Sequence, residues 1–396
     1  MKILMINDND PDAVVGGSEH YIADLTRALE AERHEVHWFV LASHSTGGDG
    51  ARPRKRVFRP RTANRWVSIL RRVVFYPDLH RELADCLARF QPDVVHLHNN
   101  YRYPFTILAA TRDHRLVQTV HDYCAIYPTA HCSRERSCAG RSVFAALSHG
   151  CLTWKLLATE ACLLYGRRFF DRHFVDAFIA PSRDLALHLE RMGHANVFQV
   201  PNLRLLPKLE STPAADGQVV LYVGALIEHK GVATLLAAFA RLAGDLPEAS
   251  LWLVGDGPQA RDLKAAAAKH GLCQVRFLGQ RSSDELAGIY QRARAVVLPS
   301  LWLENAPLVA IEASAYGRAV VASRVGGLPE LVEDGRTGFL FDRGDVGALA
   351  EKLRLLLADS ALAEALGAAG CERLAEHRSP ARHLERLLVV YDKARH

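Results

Sequence analysis

Residues 297–330 read VLPSLWLENAPLVAIEASAYGRAVVASRVGGLPE, and the order of apolar runs, prolines and glycines in them decides the expected fold. An apolar run stops at Pro299, a loop follows, and Pro307 opens a stretch with helical rhythm. Proline is favoured at a first helical position, where its missing N–H has no partner to lose. A second apolar run, Ala319-Val320-Val321-Ala322, ends in Gly326-Gly327 with Pro329 and Glu330 behind it. The unit is strand, loop, helix, strand, loop, helix, which gathers loops and helix starts at the carboxyl edge of a parallel sheet, where α/β proteins bind ligands. Glu304 precedes the helix and Glu312 falls on its second turn, so both carboxylates can face one crevice. An ionised carboxylate only accepts hydrogen bonds, which suits the hydroxyls of a sugar or a ribose.

The same alternation extends in both directions. Short, β-branched runs without polar alternation, as buried parallel strands show, are expected as strands at 3–6, 36–40, 94–97, 116–120, 177–180 and 197–200. Residues 201–217 are rich in Pro, Ser and Thr and read as a hinge. A second series follows at 219–223, 250–254, 275–278, 295–298 and 319–322. The expected fold class is α/β: two doubly wound Rossmann-like domains, 1–203 and 204–378, facing across a cleft, with a last helix at about 380–394.

A chain of 396 residues suits two domains with a core each, and 49% hydrophobic residues describe a globular protein. No apolar run approaches the ~18 uncharged residues of a spanning helix, and the start enters a strand directly, without signal-peptide architecture. A cytoplasmic enzyme is expected, able to work at the inner membrane face. Charge is uneven: residues 1–201 hold 26 Lys+Arg against 21 Asp+Glu, the remainder 23 of each. The excess gathers at 52–72, where nine basic residues surround Trp66, Val67, Ile69 and Leu70. A solvated loop and helix face explains it; peripheral contact with an anionic membrane is the sharper reading. Nucleic acid is disfavoured, since no stacking platform accompanies the charge.

Two glycine turns invite a phosphate. Lys230 precedes Gly231-Val232 at a helix start, joining a cation to a helix N-terminus, and both favour phosphate. Gly16 and Gly17 offer backbone N–H groups before another helix. Gly255-Asp256-Gly257-Pro258-Gln259-Ala260 fits G-x-G-x-x-A after a strand, but it stands in the second unit of its domain. No acidic residue ends a strand about 20 positions on, so a dehydrogenase is disfavoured.

Taken in order, these pieces resemble one family. The E-x7-E pair Glu304/Glu312, the GG-x-PE turn at Gly326, the Gly16-Gly17-Ser18-Glu19 run, Thr119-Val120-His121-Asp122, Val200-Pro201-Asn202, Tyr222-Val223-Gly224 with Lys230-Gly231, Leu253-Val254-Gly255-Asp256-Gly257-Pro258 and Phe277-Leu278-Gly279 all recur in register in it. The family is that of the retaining glycosyltransferases of family four, with the GT-B fold of the glycogen-synthase-like superfamily. The resemblance implies transfer of a sugar from a nucleotide-diphosphate donor to a hydroxyl of a glycan, lipid-linked or small-molecule acceptor, with retained anomeric configuration. It implies no cofactor and no catalytic metal. It assigns His121, Lys230 and Glu304 to catalysis, and Gly16, Gly17, Gly224, Lys230, Gly255, Gly257, Glu304, Asn305, Ala306 and Glu312 to the donor. Glu312 would accept from the ribose; a salt bridge or loop cap is its structural alternative. Glu19, His98, Asn99 and Tyr123 are acceptor-side candidates, and residues 379–396 would cross back to the first domain.

The chain also departs from the pattern. The family's arginine before the lysine clamps the diphosphate, and here that place holds Ala225 in Gly224-Ala225-Leu226. Arg324 and His229 are the neighbouring candidates to replace its charge. His96 and His98 alternate onto one side of a strand without a ligand-spaced third group, so acceptor-side or structural roles are read before a metal pair. Cys124, Cys132, Cys138 and Cys151, in a segment like the family's cysteine-bearing insert, lack the knuckle spacing of zinc sites and read as reduced thiols before a metal site or disulfides. Two alternatives to a transferase stand: another GT-B nucleotide-sugar enzyme, an epimerase or hydrolase, and a silent nucleotide-binding subunit.

Overall fold

The computed structural model describes residues 1–13, 16–41, 54–60, 71, 74–98, 102–123, 161, 165–166, 169, 171–206 and 218–394. The chain divides into two compact units, Met1–Leu203 with Pro380–His396, and Arg204–Ser379. Each is a parallel sheet with helices in its crossovers.

The first sheet holds β1 (Lys2–Asn7), β2 (Glu35–Leu41), β3 (Lys55–Phe58), β4 (Val94–His98), β5 (Leu116–Thr119), β6 (Ala177–Ala180) and β7 (Val197–Gln199), in the order β3-β2-β1-β4-β5-β6-β7. Its described helices of a turn or more are α1 (Gly17–Ala31), α2 (Pro77–Phe90), α3 (Pro104–Thr111) and α4 (Arg183–Arg191). The second sheet holds β8 (Val219–Val223), β9 (Ser250–Val254), β10 (Val275–Gly279), β11 (Ala293–Leu298), β12 (Ala319–Ser323) and β13 (Gly338–Phe341), in the order β10-β9-β8-β11-β12-β13. Its helices are α5 (Val232–Ala240), α6 (Ala260–Lys269), α7 (Ser283–Arg292), α8 (Leu308–Ala315), α9 (Leu328–Leu331), α10 (Val346–Ala358) and α11 (Ser360–His377). The last helix, α12 (Pro380–Lys393), belongs to the first unit.

The central strands are apolar on both faces because helices cover both. Val220, Leu251, Val297 and Val321 form one core with Leu235, Phe239, Leu349 and Leu353 of α5 and α10. Helix starts are marked by side-chain caps. Ser282 and Glu285 form a reciprocal capping box at α7, while Asp345 and Asp359 accept from the first turns of α10 and α11.

Strand order reverses once in each sheet, between β1 and β4 and between β8 and β11. Loops leaving the paired strands part at these points, which opens the crevice where α/β sheets take ligands. Three local readings need correcting. Pro307 is the N-cap of α8, one position before its first helical residue, so its fixed φ still suits the entry. Lys55–Phe58, inside the basic stretch read as loop and helix, pairs with β2 as an edge strand. β13 is a strand that the apolar pattern does not signal: Gly338 begins it, and it lacks the β-branched run of its neighbours. The cysteines Cys124, Cys132, Cys138 and Cys151, and most of the 52–72 stretch, lie outside the described residues. Among the described residues, no helix is long and apolar enough to cross a membrane.

Candidate active site

The reversal in the second sheet places two loops side by side, 224–231 after β8 and 299–307 after β11. Lys230 on the first donates from Nζ to Glu304 Oε1 on the second, at 2.7 Å. Ser300 Oγ donates to the same oxygen at 2.5 Å. The Lys230 side chain keeps 30% exposure and Glu304 12%, so an anchored cation–carboxylate pair faces the crevice. Glu304 Oε2 has no partner among the described residues. It can accept from a ligand hydroxyl while Oε1 is held.

Backbone bonds lock these loops to one another. Leu301 N–H donates to His229 O (2.8 Å), Gly327 N–H to Glu304 O (2.7 Å) and Leu226 N–H to Asp256 O (2.9 Å). Tyr222 donates its hydroxyl to Ala225 O at 2.8 Å; burial first, then the Glu304 charge, push that phenol up, so it stays a donor. Gly255 and Gly257 are explained by this packing. A Cβ on Gly255 would lie 1.9 Å from Gly224 O, and one on Gly257 would lie 2.5 Å from Leu226 O. Their bare faces receive the backbone of the neighbouring loop. Asn305 and Ala306 are buried in the turn just before α8.

Glu312, on the second turn of α8, is buried beside this loop and engaged on both oxygens. Arg204 Nε donates to Oε1 at 2.9 Å and Tyr290 Oη to Oε2 at 2.8 Å. The sequence pattern signals neither partner. Arg204 lies in the stretch read as hinge, 108 positions away, and no periodicity marks such a pair. Ala225 is exposed, so its loop carries no guanidinium at the family's usual place. Arg324 reaches Asp334 (3.0 Å) and Asp342 (3.9 Å) on the β12–β13 side of the sheet, and His229 stands beside Lys230 with its carbonyl bound to Leu301.

In the first unit the reversal between β1 and β4 brings together Glu19, Gly16, Gly17, His98 and His121. Gly16 is the extended N-cap of α1 and offers no side-chain cap, which leaves the helix start to its backbone N–H groups. Glu19 is buried, accepting from Asn9 Nδ2 (2.9 Å) and Ser18 Oγ (2.8 Å), and it braces the loop that carries Gly16. His98 Nδ1 and His121 Nε2 share a hydrogen bond of 3.0 Å, and Tyr21 stands edge-on to both rings. His96, behind them, is bound by Thr119 Oγ1 and Tyr391 Oη, each at 2.7 Å. Its role is therefore structural. Burial lowers all three histidines: His121 to about 4, His96 to about 3 and His98 well below its ordinary value. They are neutral at physiological pH. Tyr123 donates to Asp184 at the start of α4, at 2.5 Å. Asn99 lies outside the described residues. Among the described residues no group of three His, Cys, Asp or Glu side chains could hold a metal ion.

Comparison with known proteins agrees with this geometry. Residues 15–203 match the model of "Glycosyltransferase Family 4" and residues 209–373 that of "Glycosyl transferases group 1". Glycogen synthase of Mycobacterium tuberculosis is 28% identical over 94% of this chain and 90% of its own length. Sucrose-phosphate synthase from Thermosynechococcus elongatus superimposes with a TM-score of 0.75 at 24% identity, covering 98% of both chains. Anabaena Alr3699/HepE in complex with UDP and glucose does so with a TM-score of 0.75 at 19% identity, covering 99% of both. With both units matched, and two Rossmann-like sheets each reversing at a loop crevice, the chain belongs to the family-four glycosyltransferases of GT-B fold.

Proposed function

We propose that this glycosyltransferase moves a sugar from a nucleoside-diphosphate donor to an acceptor hydroxyl with retention of anomeric configuration. The observation that carries the reading is the Lys230–Glu304 pair at the β8/β11 reversal. Breaking the bond between anomeric carbon and diphosphate leaves positive charge on the sugar ring and negative charge on the phosphate. Preorganised electrostatic stabilisation of that developing charge is usually the largest catalytic term. Lys230 is the cation that supplies it, and the Glu304 carboxylate, with Oε2 open, takes a hydroxyl of the donor sugar. Glu312 takes the ribose. His121 contributes a neutral ring to a sugar hydroxyl. No side chain need form a covalent bond: the acceptor hydroxyl attacks from the face the leaving group departs, and the phosphate oxygen receives its proton. The cycle closes without a metal.

The second unit binds the donor, and the first the acceptor, a hydroxyl-bearing glycan, lipid-linked or small molecule. UDP-glucose is the first donor to try, because HepE was solved with it. Val74 and Phe75, exposed just beyond the 52–72 basic stretch, support peripheral contact of the first unit with an anionic membrane. The test is a thermal-shift screen against UDP, GDP, dTDP, ADP and their sugars, followed by NMR of the product. A new glycoside with the donor's anomeric configuration supports the reading. A changed donor without glycoside indicates an epimerase, and free sugar alone a hydrolase. Nucleotide binding without turnover returns the silent subunit.

A further inference from the structure

Each oxygen of Glu312 is held by a different protein donor, and both donors come from outside its helix. Arg204, the first residue of the second unit, holds Oε1 through Nε; Tyr290, near the end of α7, holds Oε2 through its hydroxyl. The Arg204 and Glu312 side chains keep 9% and 10% exposure. Tyr290 is itself fixed, stacked on Tyr316 at the end of α8 with ring centroids 5.0 Å apart and planes 7° from parallel.

A carboxylate has about four lone-pair positions, two on each oxygen. Arg204 and Tyr290 use one on each. What remains is one acceptor position per oxygen, in a group that cannot rotate without breaking a bond. That is the acceptor pattern a vicinal cis-diol requires.

We propose that Arg204 and Tyr290 are positioning residues that orient Glu312 as a two-point acceptor for the 2′- and 3′-hydroxyls of the donor nucleoside, and so set preference for ribose over deoxyribose. The proposal rests on the reading of Glu312 as the ribose acceptor. Burial first, then the Glu312 charge, hold the Tyr290 phenol well above its ordinary range, and a guanidinium does not deprotonate. Both donors therefore persist across the working pH range, and the acceptor pair does not switch. Supporting residues of this kind determine how closely a site is held to its productive geometry.

The experiment is calorimetric titration of the full chain with UDP, GDP and ADP, and with the 2′,3′-dideoxy counterpart of whichever binds. Wild type is expected to prefer the ribonucleotide by about tenfold or more, as hydrogen bonds to a charged group imply. Tyr290→Phe and Arg204→Met are each expected to cut that preference to within about threefold while the affinity for the dideoxy compound stays unchanged. Unchanged dideoxy binding shows that the variant is folded, and a general loosening of the site would weaken both ligands together. Glu312→Gln separates the two readings. If Glu312→Gln loses the preference and Tyr290→Phe and Arg204→Met keep it, positioning is wrong and the ribose role of Glu312 stands. If Glu312→Gln keeps it, the ribose role itself is wrong, and failure of all three nucleotides to bind wild type overturns both.

Discussion

Gly326 rests against the carbonyl oxygen of Glu304 so closely that a Cβ on it would lie 2.2 Å from that oxygen. Gly326 also holds φ +53, a left-handed conformation that side chains disfavour, and the next residue, Gly327, donates its N–H to the same carbonyl. The turn after β12 thus fixes the backbone that presents the Glu304 carboxylate. Gly326→Ala cannot be absorbed by a side-chain shift, because the obstacle is backbone. We expect nucleotide-sugar turnover to fall at least about a hundredfold, the scale of a misplaced site, while the circular dichroism of the two sheets stays near wild type. A variant with wild-type kinetics would show that Glu304 is positioned by other means.

Lys230→Ala removes the cation proposed to face the leaving phosphate and leaves Ser300 as the remaining donor on Glu304 Oε1. The expected loss is about a hundred- to a thousandfold in kcat, with a smaller change in KM, because the charge it answers develops in the transition state. Steady-state kinetics with the donor identified in the screen decides this. A change confined to KM would make Lys230 a ground-state binding group.

Ala225 offers the reverse experiment. It is exposed, and its carbonyl is already fixed by Tyr222, so Ala225→Arg adds a guanidinium without displacing core. Placed where the family keeps its arginine, that group is expected to tighten nucleoside diphosphate about tenfold, the worth of one charge-assisted hydrogen bond. Calorimetric titration reads it directly. Equal affinity in the two proteins would mean that the diphosphate does not pass Ala225.

Desolvation of the histidines at the first sheet's reversal makes stability depend on pH. His121 has its folded-state pKa lowered from 6.5 to about 4, and His96 to about 3. A lowered value means the unfolded chain binds the proton more readily. The stabilisation is complete above pH 6.5 and is lost as pH falls through that value toward the folded-state pKa. His121 alone accounts for roughly 3 kcal/mol across the window. Calorimetry at pH 7.5 and 4.5 should show a fall in Tm, and His121→Asn should make the fall smaller by roughly 5–10 °C. Identical pH dependence in wild type and variant would remove His121 from the account.

Turnover is expected to survive chelation. On the proposed reading Lys230 answers the diphosphate charge. Activity after exhaustive EDTA treatment should remain within about twofold of the untreated enzyme. Loss that magnesium restores would require a metal on the donor phosphates.

The two sheets were legible because buried parallel strands announce themselves as short β-branched runs, and all eleven expected runs are parallel strands whose ends differ by two residues at most. β3 escaped because Lys-Arg-Val-Phe at an edge has too few apolar residues to stand out, and β13 because it opens on a glycine. Lys230 and Glu304 could be singled out because each lies near a helix start within the family's motif order, a feature local in sequence. Arg204 and Tyr290 could not. Their importance lies in meeting Glu312 across the fold, and a contact over such separation leaves no trace in spacing or composition.

His96 has one consequence for how the protein comes into being. Its ring, wholly buried, finds a partner in Tyr391, while His383 of the same last helix joins Tyr21 Oη (3.2 Å) to the carbonyl of Pro201 (2.8 Å). The first unit to leave the ribosome is therefore the last to be completed. The second unit is synthesised whole before those final residues appear, and at translation rates of about 5–20 residues per second the interval is roughly 10–40 s. During that time His96 and Tyr21 of the nascent first unit lack the partners that α12 brings. A chaperone that covers them, or a stop codon that removes residues 380–396, acts on the same seam.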